Sequence, residues 1–275
     1  MSFRFRTVLV DGARIAASRN GLVLIVLFAA VQLLSMFLLY SAGQVYVPIG
    51  DGLVGTEGAP EPGEELPVAV GAVATFFTTA LASLLSVPVS IVAIRSFVGG
   101  ARDRIPDAYV FRRIGRATVS ALVADLLVFV LYVVAFALPF VSLVWLIGEV
   151  SGLALVGVIL LMAIVGLLLS LFLVVSLLFV TYEIAVRDAR ALTSLRDSWR
   201  LASGHRLRLF ALAALIWAMQ AGITAPTFVL PGELLPTLAM VPLASLTVII
   251  ALAIYARAYV ELRGDERALR ERLDP

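Results

Sequence analysis

Long apolar segments, separated by short charged stretches, dominate the chain. Six of them are long enough to cross a bilayer as a helix, which takes about 20 residues. They cover residues 21–40, 68–94, 117–148, 152–182, 209–230 and 237–255. Because a backbone surrounded by lipid must satisfy its own hydrogen bonds, each segment is expected to be an α-helix. The pattern predicts an all-α, polytopic transmembrane bundle of six spans, with residues 1–275 as a single membrane domain and no soluble domain.

The distribution of arginine predicts the orientation of these spans. All 21 basic residues are arginine, and they lie in residues 1–20, 95–116, 183–208 and 257–275. The opposite side of the predicted bundle carries acidic residues and no arginine. Since cytoplasmic loops carry the excess of basic residues, both termini are predicted to be cytoplasmic, in a multi-pass protein of the cell membrane. Three spans between residues 117 and 182 would break this partition, so two long spans are predicted there.

The basic N-terminal tail and the first apolar segment leave one alternative open, a cleaved signal peptide. Cleavage would leave five spans, with the new N-terminus outside. The apolar run of 20 residues is longer than the h-region of a signal peptide, which has about 7–15 residues. We therefore expect the first span to be retained.

Two short amphipathic segments flank the spans on the arginine-rich side. In residues 4–18, polar side chains recur every three or four positions, which predicts a helix at the membrane surface. A second such helix is predicted over residues 189–203, with Asp188 as its N-cap and Gly204 just after its C-terminal end. Its expected apolar face consists of Leu192, Leu195, Trp199 and Ala202.

Composition agrees with a membrane protein and excludes several other classes. Hydrophobic residues make up 61% of the chain and charged residues 15%, whereas about 25% charged residues is usual in soluble domains. The absence of cysteine excludes disulfides, zinc–thiolate sites and thiol catalysis. The formal net charge of +2 gives no reason to expect a nucleic-acid partner.

The most specific motif lies in residues 179–212, which read FVTYEIAVRDARALTSLRDSWRLASGHRLRLFAL. The matching positions are Glu183, Ala191, Leu192, Ser198, Trp199, Leu201, Gly204 and Arg206. They resemble a family of uncharacterised prokaryotic and archaeal six-helix integral membrane proteins, similar to the membrane domain of some glycerophosphodiester phosphodiesterases. The resemblance implies a six-helix membrane fold. It implies no phosphodiesterase activity, because that activity belongs to a separate soluble barrel that these 275 residues do not contain.

Polar residues inside the predicted spans are candidates for function, because polar groups are costly in a bilayer. Asp125 lies about 12 Å into the third span, where it either relays a proton or cation or pairs with an inner arginine or a hydroxyl. The second span carries hydroxyl residues at helical spacing, namely Thr75, Thr79, Ser83, Ser86 and Ser90. This hydroxyl stripe forms either one wall of a hydrophilic groove or a face for close helix packing.

The loop between the fourth and fifth spans is the candidate surface for a partner protein or for anionic lipid headgroups. Its residues are Glu183, Arg196, Ser198, Trp199, Arg200, Arg206 and Arg208. The alternative is that Ser198 and Trp199 serve only in packing and interfacial anchoring. His205 is the one histidine, which leaves too few ligands for a transition metal, so neither a metal nor a cofactor is expected.

Three hypotheses for the function follow. The favoured one is a non-catalytic scaffold or accessory membrane component of the envelope, whose partners are the bilayer, anionic headgroups and a membrane protein. The alternative is a permease or carrier for a lipid-like or small solute, suggested by Asp125 and the hydroxyl stripe. The third is a membrane enzyme acting on lipids, for which the sequence offers neither a Walker A motif nor G-x-S-x-G.

Overall fold

Helices account for every regular element that the computed structural model describes, in residues 5–46, 68–146, 153–229, 231, 234–264 and 266–273. The helices are α1 Phe5–Ala16, α2 Arg19–Tyr46, α3 Val68–Gly99, α4 Asp107–Phe111, α5 Ile114–Leu146, α6 Leu153–Ser176, α7 Val180–Arg187, α8 Ala191–Ala202, α9 Arg206–Thr224, α10 Leu234–Arg263 and α11 Glu266–Leu273. A 3-10 turn, Ala225–Val229, follows α9. The predicted all-α class is confirmed.

Five of the described helical stretches are long and apolar enough to cross a membrane. They are Arg19–Leu38, Ile114–Ala135, Val156–Arg187, Arg206–Thr227 and Leu238–Arg263. The predicted second span lies in α3, whose apolar stretch among the described residues, Leu84–Gly99, is shorter. These helices indicate that the chain is a membrane protein, while the six spans and the cytoplasmic termini stay predictions.

The exposed side chains also indicate lipid as the surrounding solvent. On α6, Val156, Leu160 and Leu168 are 60%, 62% and 60% exposed. Phe129 on α5 is 63% exposed and Val26 on α2 is 69% exposed. Contiguous apolar surfaces of this kind are unusual on a soluble monomer, and hydrocarbon covers them at no cost.

Among the six long helices that the structure describes, α3 and α10 pack against each other as a pair. Helix α2 packs against both members of this pair, α5 packs against α3, and α9 packs against α10. Helix α6 closes the ring between α5 and α9. Helix α1 lies along α10, where a Cβ on Gly12 would come within 2.7 Å of the Ile254 Cα, so glycine is needed for this close approach.

The core lies at the arginine-rich end of the bundle, which we call the inner end. Five consecutive residues of α7, from Tyr182 to Val186, are buried, and α7 packs against α3, α5, α8 and α11. The largest fully buried apolar side chains near it are Phe97, Phe179, Ile184 and Tyr259. The short inner helices therefore fill the space between the inner ends of the long helices.

Helix α8 corrects one prediction. Its buried residues are Ala191, Ser194, Ser198 and Ala202, so only part of the predicted apolar face is confirmed: Ala202 is buried and Leu195 is half-buried against the core. Leu192 and Trp199 are 72% and 38% exposed. Small side chains on this face allow α8 to approach the other inner helices closely, so the large side chains of Leu192 and Trp199 stay outside the core.

Candidate functional site

Ser198 connects α8 to a break in the fourth predicted span. Helix α6 ends at Ser176, and α7 begins at Val180. The Ser198 hydroxyl donates a hydrogen bond to the Ser176 carbonyl oxygen at 3.1 Å and accepts one from the Phe179 amide at 3.1 Å. A break in a helix leaves such backbone groups without their usual partners. One fully buried hydroxyl therefore satisfies a group on each side of the break.

Glu183 is a fully buried carboxylate between two arginines. Its Oε2 lies 3.2 Å from Arg187 Nη1 in the next turn of α7, and its Oε1 accepts a hydrogen bond from Arg263 of α10. Arg187 also reaches Asp197 of α8 at 3.3 Å. Since an unpaired buried charge is strongly destabilising, these pairs fix α7 against α8 and α10.

Arg95 is the largest fully buried side chain in the described part of the chain. Its Nε donates to the carbonyl oxygen of Ala185 at 2.8 Å, and Nη1 donates to those of Tyr109 and Arg112 at 3.1 and 2.8 Å. Asp188 lies 3.6 Å from Arg95 Nη2. The guanidinium thus joins α3 to the end of α7 and to the segment around α4.

Asp188 does not have the predicted role of N-cap of α8. It ends α7 in a left-handed conformation with φ 53°, and Arg190 occupies the N-cap position of α8 without a side-chain capping hydrogen bond. Its carboxylate pairs with Arg95 at 3.6 Å and with Arg112 at 3.4 Å. Aspartate tolerates the left-handed region better than most residues. Gly204 follows α8 with φ 88°, as predicted for a residue just past a helix end.

Two further ion pairs tie the N- and C-terminal helices to the bundle. Arg257 of α10 lies 3.6 Å from Asp11 of α1 and 3.3 Å from Glu266 of α11. Together these pairs form what we call the inner charge network. Its members are Arg95, Arg112, Arg187, Arg257 and Arg263, with Asp11, Glu183, Asp188, Asp197 and Glu266.

Arg206 lies against two aromatic rings at the edge of the inner end. Its guanidinium carbon is 4.5 Å from the ring centre of Phe172 and 4.8 Å from that of Trp199. The two rings meet edge to face, with centres 5.4 Å apart. Cation–π contacts of this kind hold a guanidinium in place while leaving its edge free to bind an anion.

The predicted partner or headgroup surface is therefore divided by the fold. Glu183 and Ser198 are not on the surface, since both are 0% exposed. Trp199 and Arg206 are brought together, and Arg196, Arg200 and Arg208 are exposed. A shallow cavity of about 530 Å³ lies at the start of α9, lined by Gly204, His205, Arg206, Leu207 and Arg208.

The structure describes only some of the candidate polar residues within the predicted spans. Asp125 is exposed on α5, and no hydrogen bond or ion pair joins it to another of the described residues. Ser86 and Ser90 are half-buried on α3, where the Ser90 hydroxyl donates to the Ser86 carbonyl oxygen at 3.0 Å. Thr75, Thr79 and Ser83 lie on α3, but their side chains fall outside what the structure describes.

Sequence reasoning missed the inward-facing arginines. Arg95, Arg257 and Arg263 entered it only as markers of orientation, yet each binds a partner inside the inner end. One signal was present: Arg95 follows an apolar run without a break and is itself followed by the apolar residues Phe97 and Val98. An arginine within an apolar helix needs partners, which here are backbone carbonyls.

Comparison with known proteins gives a family without an assigned activity. No curated protein matches the chain significantly. No solved structure does so either. A family model described as "Domain of unknown function (DUF7847)" matches residues 4–262, which run from the start of α1 to the last turn of α10. The chain therefore belongs to the DUF7847 family.

Proposed function

We propose that the chain is a six-span protein of the cytoplasmic membrane, with both termini in the cytoplasm, that acts as a non-catalytic scaffold or accessory component. The observation that supports this best is the inner charge network. Its two least exposed members, Arg95 and Glu183, are both held by partners within the protein. Such a network keeps the inner end in one arrangement, as a docking platform requires.

The exposed side chains at the inner end also support a docking role. Leu192 and Phe111 are 72% and 74% exposed, and the exposed arginines Arg196 and Arg200 lie on the same helix as Leu192. Aromatic and arginine side chains around an apolar centre are typical of protein interfaces. In the proposed orientation this surface faces the cytoplasmic side of the membrane.

The family resemblance seen in residues 179–212 adds a narrower proposal. It would relate this chain to the membrane domain of some glycerophosphodiester phosphodiesterases, which is joined to a soluble catalytic barrel and so suggests a domain that holds a partner at the membrane. The comparisons leave that relation as a prediction. It agrees with a scaffold because the resemblance concerns the membrane part alone.

A photoreactive cross-linker at Leu192 tests the scaffold. In native membranes we expect one discrete protein adduct, which is lost when Arg196 and Arg200 are both changed to Glu. The same cross-linker at Leu160, which is 62% exposed on α6, serves as the control and should capture only lipid. Adducts with lipid alone at both positions would contradict the scaffold.

Asp125 supports a carrier as the second candidate. A carboxylate exposed on a membrane-spanning helix either faces lipid at a cost of several kcal/mol or lines a water-filled path. Since the chain has no cysteine, single cysteines report accessibility cleanly. If the carrier is correct, a charged thiol reagent will modify D125C in intact membranes and leave L126C, one position along the helix, unmodified. Two unreactive cysteines would count against it.

A further inference from the structure

The segment that surrounds the cavity at the start of α9 is rich in positive charge. Between residues 189 and 208 there are five arginines and one acidic residue, Asp197. Asp197 is already engaged by Arg187 at 3.3 Å. The cavity itself is lined by Arg206 and Arg208 and has a volume of about 530 Å³. Its surroundings are therefore strongly positive.

The two arginines of this cavity are not used in holding the fold by ion pairs. No ion pair joins Arg206 or Arg208 to another residue that the structure describes, in contrast to Arg95, Arg187 and Arg263. The Nε atom of Arg206 is buried without a hydrogen-bond partner. A guanidinium with free donors binds a phosphate through paired hydrogen bonds.

Arg206 is also held in position before any ligand binds. Phe172 and Trp199 contact its guanidinium at 4.5 and 4.8 Å from their ring centres. Trp199 comes from α8, Phe172 from α6 and Arg206 from α9, so three elements fix the position of one charge. Less side-chain entropy is lost on binding when the side chain is already ordered.

The wall of the cavity distinguishes a lipid from a soluble anion. Leu207 lines it and is 86% exposed, and Trp199 beside it is 38% exposed. Such apolar surface next to arginines, at the end of a membrane-spanning helix, matches the boundary between headgroups and acyl chains. A free phosphate would use the arginines and leave this apolar surface uncovered.

We propose that this cavity binds a phospholipid with an anionic headgroup from the inner leaflet. Its phosphate lies on Arg206 and Arg208, and the start of its acyl chains lies along Leu207 and Trp199. The site rests on the orientation proposed above, because only then does the cavity face the cytoplasmic leaflet. Basic residues close to that leaflet each contribute about 1 kcal/mol to binding of anionic lipid.

Thermal unfolding of the detergent-solubilised full chain, titrated with lipid, tests the site. We expect phosphatidylglycerol to raise the Tm in a saturable way and phosphatidylcholine to have little effect. R206Q and R208Q should each weaken the apparent affinity about fivefold. R206K, which keeps the charge, should recover part of the loss. R104Q removes an exposed arginine of another inner loop and should titrate like the unchanged chain.

Three results would overturn the site. They are equal shifts with phosphatidylcholine and phosphatidylglycerol, an equal shift with inorganic phosphate alone, and titrations of R206Q and R208Q that match that of R104Q. A folding defect is recognised separately, as a lower Tm in the absence of lipid. If lipid does not raise the Tm but the protein cross-link at Leu192 is still formed, only the lipid site is wrong. If lipid raises the Tm as expected but no protein is cross-linked at Leu192, only the scaffold is wrong.

Discussion

At the residue scale, Glu183 illustrates how this protein keeps charges inside. The carboxylate is fully buried, and Arg187 and Arg263 approach it from two different helices. Removing one partner of a buried pair costs more than removing an exposed pair, because a buried charge is left uncompensated. The inner charge network is thus best tested one residue at a time.

We expect E183Q to lower the free energy of unfolding by about 1.5–3 kcal/mol, since the charge-assisted hydrogen bonds between the buried carboxylate and the partly exposed Arg187 and Arg263 are weakened or lost. Thermal unfolding in detergent measures the change. D197N is the matched control: its carboxylate pairs with the same Arg187 but is 25% exposed, so a loss of at most about 1 kcal/mol is expected. Equal losses in both variants would show that burial of Glu183 does not matter.

Ser198 carries a second prediction at this scale. S198A removes both hydrogen bonds at the α6–α7 break, and the backbone groups left unsatisfied should cost about 1–3 kcal/mol each. S203A is the control, because the Ser203 hydroxyl is exposed and bonds only locally, to the Arg200 carbonyl oxygen. If S198A melts at the same temperature as S203A, the hydroxyl does not support the break.

At the element scale, apolar runs predicted the long helices well but not their ends or interruptions. Helix α10 runs Leu234–Arg263, well past the predicted limit of 255, because Tyr259 and Arg263 pack inside the inner end rather than in water. The α6–α7 break is invisible in the hydrophobic pattern, since apolar residues continue through it. Ser198, whose hydroxyl bonds to backbone groups at the break, lies 22 residues beyond Ser176 and becomes a neighbour only in the folded chain.

The close contact between α1 and α10 predicts how a larger side chain at Gly12 would affect the position of α1. In G12A the new methyl group would lie 2.7 Å from Ile254 Cα, so α1 must move, at a cost of about 1–3 kcal/mol, and the Asp11–Arg257 pair should be broken. G157A is the control, because nothing lies within 4 Å of a Cβ at Gly157. Hydrogen exchange should report faster opening of α1 in G12A and unchanged α1 in G157A. Unchanged exchange in both would contradict the close packing.

At the scale of the whole molecule, the arginines and the most tightly packed core lie at the same end of the bundle. The clustering of all 21 arginines in four segments was readable from the sequence, because it depends only on which residues lie between the apolar runs. Which arginines turn inward was not readable, since Arg95 depends on carbonyl oxygens from two distant segments. The same holds for Arg206, whose aromatic partners lie on α6 and α8. The charge of a loop can therefore be read from its own sequence, whereas the partners of a buried side chain are known only from the folded structure.

Six spans with an arginine-rich cytoplasmic side are the central claim, and labelling of single cysteines tests it most directly. E57C would lie in the first outer loop and S203C on the inner side, at an exposed position after α8. We expect a membrane-impermeant thiol reagent to label E57C in intact cells and to label S203C only after the membrane is permeabilised. Labelling of both cysteines from the same side would contradict it.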